Sequence, residues 1–199
     1  MIDAMWAVVP VKDMGKAKQR LAPAMPQRER TALYGAMLED VLAALSRARG
    51  LAGILVVSRD PAAATLAAAY GAGVLAETEN RGHSQAVLAG IALLRRKGVR
   101  AMLTLPGDVP LVTSAEIEAV LAVHGPAPAM TIVPSRDEDG SNCIALSPVD
   151  AVPLSFGDNS FRPHLAAARV RGIEPRVLRL PGIGLDIDTP GDLAALMAQ

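Results

Sequence analysis

The amino-acid sequence predicts one α/β domain with a mixed, mostly parallel sheet and helices on both of its faces. Through the first half of the chain, short apolar runs alternate with longer segments of helical periodicity, which is the pattern of parallel strands joined by helices. The first run, Met5 to Val11, is apolar throughout, as expected for a strand that is buried on both faces. No linker, internal repeat or low-complexity tract divides the chain, so residues 1–199 are predicted to form a single domain.

The first half of the chain supplies strands and helices in alternation. Apolar side chains recur every fourth residue from Leu33 to Leu45, which predicts a long helix over Gln27–Arg47 with one wide buried face. Asp60 followed by Pro61 is the pair expected at the start of another helix, with Asp as the cap and Pro in the first turn. The remaining elements of this half are predicted as strands at 54–58, 74–75 and 101–105 and a helix over 84–97.

The second half contains shorter elements. Thr113 and Glu116 have the spacing of a capping box, which predicts a helix that runs to Val123. The segment from Thr189 to Asp192 is predicted to cap the final helix. We expect strands at 130–134, 143–146 and 176–180 and a helix over 162–171.

Composition and charge exclude several classes of protein for this chain. The chain has 20 basic and 20 acidic side chains, and this zero net charge argues against a general nucleic-acid or membrane surface. Its single cysteine, Cys143, excludes an internal disulfide and a cysteine-based zinc site. No apolar run approaches the roughly 20 residues that span a bilayer, and no signal-peptide pattern opens the chain. We expect a soluble cytoplasmic protein whose partners are small molecules; its oligomeric state is open, a homodimer included.

A single carboxylate follows the apolar strand at 101–105. The strand runs into Pro106, Gly107 and Asp108, so the carboxylate is expected at the carboxyl end of a buried strand. Ligands bind at that edge in open α/β sheets, and an Asp there can hold a divalent metal on a nucleotide phosphate. The alternative is a solvated turn or a helix cap. A second acidic pair, Asp186 and Asp188, favours the metal site.

A basic loop follows the first strand. Four cations occur within nine residues, namely Lys12, Lys16, Lys18 and Arg20. Lysine ammonium groups and the forked arginine guanidinium both bind phosphate oxygens, so this loop is a candidate cradle for a triphosphate. A solvated basic face is the alternative, and the position after the first strand of the sheet favours the phosphate site. The loop has neither the P-loop nor the dinucleotide-binding glycine pattern.

Five segments of the chain, taken in order, carry a family resemblance. They are Val9 to Lys12 with Ala17 to Leu21, Leu105 to Leu111, Asp139 to Asn142, Phe156 to His164 and Leu185 to Pro190. They are similar to the guanylyltransferases that activate a phosphorylated three-carbon acid during biosynthesis of the deazaflavin coenzyme F(420). The resemblance implies the nucleotide-diphospho-sugar transferase fold (glycosyltransferase-A-like) and GTP-dependent guanylyl transfer with release of pyrophosphate. The acceptors known in that family are 2-phospho-L-lactate, phosphoenolpyruvate and 3-phospho-D-glycerate.

The resemblance also implies roles for individual residues. Asp108, Asp186 and Asp188 would hold Mg²⁺, with the choice between the last two left open. The implied catalytic residues are Lys12, Lys18, Arg20 and Asp108. The nucleotide would be bound by Pro10, Val11, Lys12, Lys18, Arg20, Ser84, Gln85, Pro106 and Asp108. The phosphate and carboxylate of the acid would be bound by Ser141, Asn142, Gly157, Ser160 and His164.

The histidines fit the resemblance less closely. His83 stands where related sequences commonly have leucine, and we expect it to begin a helix without contacting a ligand; Ser84 or Gln85 would then meet the guanine edge or the ribose. His124 is expected on the surface, interacting with the dipole at a helix end. His164 either binds the acid or supports the site structurally.

Two other functions stay open. One is another nucleotidyltransferase of the same fold, of the molybdopterin or sugar-phosphate type. Those enzymes usually have a glycine- and arginine-rich first loop, whereas the segment from Lys12 to Arg20 contains one glycine. The other is a non-catalytic nucleotide-binding subunit, against which the three retained carboxylates argue.

Overall fold

The computed structural model describes residues 4–79 and 81–198, and it confirms the predicted α/β class. Seven strands form one sheet in the spatial order β3-β2-β1-β4-β6-β5-β7. Only β6, among the described strands, runs antiparallel to its neighbours, so the sheet is mixed and mostly parallel. The strands are β1 (Met5–Pro10), β2 (Leu51–Ser58), β3 (Gly73–Ala76), β4 (Ala101–Thr104), β5 (Ala129–Pro134), β6 (Ser141–Ser147) and β7 (Arg176–Val177).

Helices follow most of the strands. The predicted long helix has the expected bounds, and the Asp60 carboxylate caps the next helix by accepting the N–H of Ala62 at 2.8 Å. Thr189 and Asp192 form a reciprocal capping box at the start of the last helix. The helices are α1 (Gln27–Arg47), α2 (Pro61–Ala69), α3 (His83–Arg96), α4 (Ser114–Val123), α5 (Phe161–Val170), α6 (Pro181–Gly184) and α7 (Pro190–Met197).

Both faces of the sheet are covered, as predicted. Ala7 and Val9 of β1 belong to a core cluster that includes the buried stripe of α1. Val8, which points to the opposite face, packs in a second cluster with Val87 of α3. Helix α3 crosses β1 so closely that a Cβ on Gly90 would lie 2.7 Å from a Val8 methyl group. No helix of the described residues is both long enough and apolar enough to cross a membrane.

Three expectations about the second half are wrong in detail. Strand β7 ends at Val177 rather than at residue 180. The capping box at α4 forms only in part: Thr113 accepts the N–H of Glu116 at 3.2 Å, but the Glu116 carboxylate accepts the N–H of Gly182 at 2.8 Å. It does so because α6 packs against the start of α4, a contact across 66 residues that no local pattern encodes.

The third error concerns His124, which is buried rather than exposed. Its side chain lies between the end of α4 and the sheet, with 2% of the residue exposed. Nδ1 is 3.0 Å from the Thr131 hydroxyl and Nε2 is 2.7 Å from the Ser147 hydroxyl, so both ring nitrogens have partners. Burial, with a smaller contribution from the nearby charge of Arg176, lowers the pKa of His124 to about 4.

Candidate active site

A cavity of about 980 Å³ opens at the carboxyl ends of β1 and β4. This is the edge at which the sequence predicts a ligand site. Four further segments form most of its wall: the basic loop after β1, the β5–β6 hairpin, the residues before α5 and the residues before α7. The cavity therefore brings together segments that are widely separated in the chain.

Lys18 occupies the centre of the polar wall. Its Nζ lies 2.5 Å from an Asp108 oxygen and 2.7 Å from an Asp188 oxygen, and its side chain is only 3% exposed. The backbone of Lys18 is left-handed, with φ of 56°, where it joins two short 3-10 turns. Burial alone would lower the pKa of Lys18, but the two carboxylates raise it. The ammonium group is therefore a buried counter-ion for both carboxylates.

Asp186 is the third carboxylate of this wall. It accepts a hydrogen bond from the Asn142 side-chain amide at 3.0 Å. Burial raises the pKa of Asp186; the Asn142 bond opposes this, and the charges of Asp108 and Asp188 raise it further. The three carboxylates are thus close enough to repel one another.

The donor chemistry of this wall suits a hard divalent cation. No three Asp, Glu, His or Cys side chains of the described residues form a ready metal-binding group. However, Mg²⁺ typically takes one or two carboxylates and completes its shell with waters and substrate phosphates. Asp108 and Asp188 both form ion pairs with the Lys18 ammonium group, so their carboxylates are close enough together for that mode of binding.

The predicted triphosphate residues lie on one side of the cavity. Pro10, Lys12, Arg20 and Pro106 line it. Lys12 and Arg20 are exposed, and an Arg20 nitrogen lies 3.9 Å from an Asp158 oxygen on the opposite wall. Val11 does not line the cavity, because its side chain packs into the core beneath β1. Its backbone N–H donates to Val57 O at 2.9 Å.

The predicted base-contacting residues lie away from the cavity lining. The Ser84 hydroxyl accepts the N–H of Phe156 at 2.8 Å and is also 3.3 Å from the Phe156 carbonyl oxygen. Gln85 is exposed to solvent. His83 begins α3 as expected, but its ring packs 4.6 Å from that of Phe156 and lines the cavity. Burial lowers the pKa of His83 to about 4; Asp108 opposes this effect and Lys12 adds to it.

The predicted acceptor residues lie on the other side. Ser141, Asn142, Gly157 and Ser160 line the cavity, and the Ser141 and Ser160 hydroxyl oxygens are 3.3 Å apart. Both serines are largely buried, and Asn142 is held by its bonds to Asp186 and to the Ile183 carbonyl. His164 lies behind this wall, where it is hydrogen-bonded to Ser141 and to the Ser155 backbone.

Sequence reasoning missed several residues of the cavity, among them Tyr34 and Arg136. Tyr34 comes from the buried stripe of α1, with its ring 5.7 Å below the Lys18 ammonium group. Burial, together with the charge of Asp108, raises the pKa of Tyr34, so the hydroxyl stays protonated. A polar hydroxyl in an apolar helical stripe was the available signal. Arg136 of the β5–β6 hairpin also lines the cavity, and no pattern in the sequence marks it.

Comparisons with known proteins cover nearly the whole chain. The family model described as guanylyl transferase CofC like matches residues 5–199. A phosphoenolpyruvate guanylyltransferase of Rubrobacter xylanophilus is 40% identical over 98% of this chain and 95% of its own length. A 3-phospho-D-glycerate guanylyltransferase of Colwellia psychrerythraea is 33% identical, covering 95% of this chain and 89% of its own. A 2-phospho-L-lactate guanylyltransferase of Methanothermobacter thermautotrophicus is also 33% identical, covering 96% and 83%.

Solved structures support the fold. A Desulfovibrio desulfuricans protein assigned to the nucleotide-diphospho-sugar transferases superposes with a TM-score of 0.75 at 16% identity, covering 98% of this chain and 87% of its own. A 4-diphosphocytidyl-2C-methyl-D-erythritol synthase superposes with a TM-score of 0.69 at 14% identity, covering 98% of each chain. At such low identity these likenesses concern the fold alone, and they confirm the predicted nucleotide-diphospho-sugar transferase type.

Proposed function

Because this chain belongs to the guanylyl transferase CofC-like family and is therefore a nucleotidyltransferase, we propose that it joins GMP from GTP to the phosphate of a three-carbon acid. Pyrophosphate is the other product. Phosphoenolpyruvate is the first candidate acceptor, since the relative at 40% identity is named for it; 2-phospho-L-lactate and 3-phospho-D-glycerate follow. We assign the reaction to the cytoplasm and to deazaflavin coenzyme F(420) biosynthesis.

One observation supports this proposal above the others. A single cavity has a basic loop on one wall, a buried pair of serine hydroxyls on another, and the Lys18 ion cluster between them. A triphosphate needs the many positive charges of the first wall. A small phosphorylated acid suits the second wall, where neutral donors can bind its oxygens. The two substrates would then meet in front of Asp108 and Asp188.

The transfer itself requires no nucleophile from the protein. A phosphate oxygen of the acid attacks the α-phosphorus of GTP and forms a new P–O bond. The bond from that phosphorus to the bridging oxygen breaks, and pyrophosphate leaves with the electron pair. Such reactions depend chiefly on positioning and charge neutralisation. Cys143 is no alternative nucleophile, because burial raises the pKa of its thiol to about 12.

The protein's own groups would supply most of that positioning. Lys12 and Arg20, which are exposed at the cavity, would hold the triphosphate oxygens. Asp108 and Asp188, with Asp186 beside them, would hold Mg²⁺. When bound, the cation would neutralise charge on the triphosphate and on the departing pyrophosphate. Lys18 would then be able to exchange its carboxylate partners for phosphate oxygens.

A pyrophosphate-release assay tests the proposal. Purified protein with Mg²⁺ is given GTP, ATP or CTP together with each of the three acids, glucose 1-phosphate or molybdopterin. We expect release only with GTP plus an acid. Release with the sugar phosphate or molybdopterin would support another transferase of this fold. GTP binding without release in any mixture would support a non-catalytic subunit.

A matched pair of variants tests the phosphate role of the basic loop. Arg20→Ala removes a guanidinium at the cavity, whereas Arg28→Ala removes an exposed one outside its lining. We expect Arg20→Ala to raise the apparent KM for GTP by about tenfold or more, since bonds to charged groups contribute about 1.5–3 kcal/mol. Arg28→Ala should leave it unchanged. The same apparent KM for GTP in both variants would indicate that the loop is a solvated basic surface and does not bind the triphosphate.

A further inference from the structure

We infer that His164 acts on the acceptor site indirectly, by fixing the direction of a hydrogen-bond chain that ends in the Ser141 and Ser160 hydroxyls. The inference rests on the proposed function for its substrate, a phosphorylated acid. It makes His164 a positioning residue rather than one that touches the acid. Its side chain lies behind the cavity wall, and 2% of the residue is exposed.

The tautomer of His164 follows from one contact. The backbone N–H of Ser155 points at Nε2, with the two nitrogens 3.1 Å apart. A backbone N–H can only donate, so Nε2 must accept with its lone pair. A neutral imidazole then carries its proton on Nδ1. Because Nδ1 is 2.9 Å from the Ser141 oxygen, His164 donates and Ser141 accepts.

This direction changes the number of protons available to the cavity. Ser141 and Ser160 have one hydroxyl proton each, and neither proton is donated to the imidazole. Their oxygens are 3.3 Å apart, so at most one proton joins them and at least one other is directed elsewhere. Both residues line the cavity, so that proton is available to an anion there. The opposite tautomer would accept the Ser141 proton and leave one donor fewer.

A feature of α5 leaves the Ser160 side chain free to turn toward Ser141. Ser160 occupies the N-cap position of α5, where a serine side chain usually accepts an N–H from the second or third residue of the helix. Its side chain makes no such bond. The third helical residue is Pro163, which has no N–H. Thr113 and Thr189, by contrast, do cap their helices. The Ser160 side chain is therefore not held at the helix start and is oriented toward Ser141.

Two amide substitutions of His164 distinguish its role in the hydrogen-bond chain from a merely structural role. His164→Gln places an amide near the position of Nε2, where it can hold Ser155, but removes the N–H that faces Ser141. His164→Asn places an amide near Nδ1, where its N–H can replace the imidazole donor, but releases Ser155. If His164 only anchors the segment around Ser155, the Asn variant should be the more impaired.

Acceptor titrations at saturating GTP give the first readout. We expect His164→Gln to raise the KM for phosphoenolpyruvate about tenfold, as for one hydrogen bond lost, with kcat and the KM for GTP within about twofold of wild type. His164→Asn should restore most of the affinity. In a double-mutant cycle, Ser141→Ala should conceal the effect of His164→Gln, because the two act as one unit. Independent, multiplicative effects, or an Asn variant weaker than the Gln variant, would overturn the inference.

Nuclear magnetic resonance gives a second readout that requires no turnover. Nitrogen-15 shifts of the imidazole, assigned by their loss in His164→Gln, identify the protonated nitrogen. We expect the proton on Nδ1, and a proton on Nε2 would overturn the inference. If wild-type protein transfers GMP to none of the acids while the proton lies on Nδ1, the proposed function fails and the tautomer assignment stands.

Discussion

Replacing Lys18 with methionine should destabilise the protein in a way that Mg²⁺ repairs. The ammonium group is the buried counter-ion of Asp108 and Asp188, at 2.5 and 2.7 Å. Methionine keeps the apolar stem and removes the charge, leaving the carboxylates to repel one another and Asp186. The same carboxylates would then be available to a cation from solution.

The size of the effect follows from burial. Removing one partner of a fully buried ion pair costs about 3–5 kcal/mol, because the other charge stays buried. The side chains of Lys18, Asp108 and Asp188 are 3%, 21% and 45% exposed, so water screens part of the exposed charge. We therefore expect the free energy of unfolding to fall by about 2 kcal/mol. In a chain of this length that corresponds to a decrease in Tm of about 4–8 °C.

Urea unfolding of Lys18→Met, followed by circular dichroism with Mg²⁺ or with EDTA, measures this effect. Lys16→Met is the control, since Lys16 is an exposed lysine of the same loop. Saturating Mg²⁺ should recover most of the loss in Lys18→Met and stabilise wild type less, because Lys18 competes for the carboxylates there. The counter-ion assignment would be refuted if Lys18→Met were as stable as wild type in EDTA, or if Mg²⁺ stabilised Lys18→Met and Lys16→Met equally.

Three further perturbations test other parts of the structure. Asp108→Asn should lower kcat for guanylyl transfer at least about 100-fold while the protein stays folded, because Lys18 keeps Asp188 as a partner, and a wild-type rate at limiting Mg²⁺ would contradict the metal assignment. The pKa of His124 is about 4 instead of 6.5, so the unfolded chain binds more protons between these values and stability falls as pH drops through them. Urea unfolding at pH 6.5 and at pH 4 should show a loss of unfolding free energy that is about 2 kcal/mol smaller in His124→Gln than in wild type. An equal loss in the two proteins would mean that another group causes it. Gly182→Ala places a Cβ 2.2 Å from the Leu111 carbonyl oxygen and should cost about 1–3 kcal/mol, whereas Gly191→Ala, with its nearest contact at 3.6 Å, should be close to neutral in thermal unfolding.

The fold is largely determined by local sequence patterns. Continuous apolar runs, the four-residue stripe of α1 and the caps at Asp60 and Thr189 depend only on nearby residues, and each appears where the sequence places it. The location of the cavity also follows from sequence, because polar segments after β1 and β4 must meet at one edge of a parallel sheet.

Tertiary packing decides which side chains become partners. Lys18 is joined to Asp188 across 170 residues, and Glu116 leaves its own helix start for Gly182 across 66. His124 and His164 occur in the sequence as ordinary polar residues, yet each is buried against hydroxyl groups from other elements. A hydrogen-bond partner is chosen by proximity after the chain has packed, and a local pattern contains no information about that proximity. The sequence alone therefore determines the strands of the sheet and the edge at which the cavity opens, whereas only the tertiary structure decides the Lys18 ion cluster and the hydrogen bonds that join His164 to the serine pair.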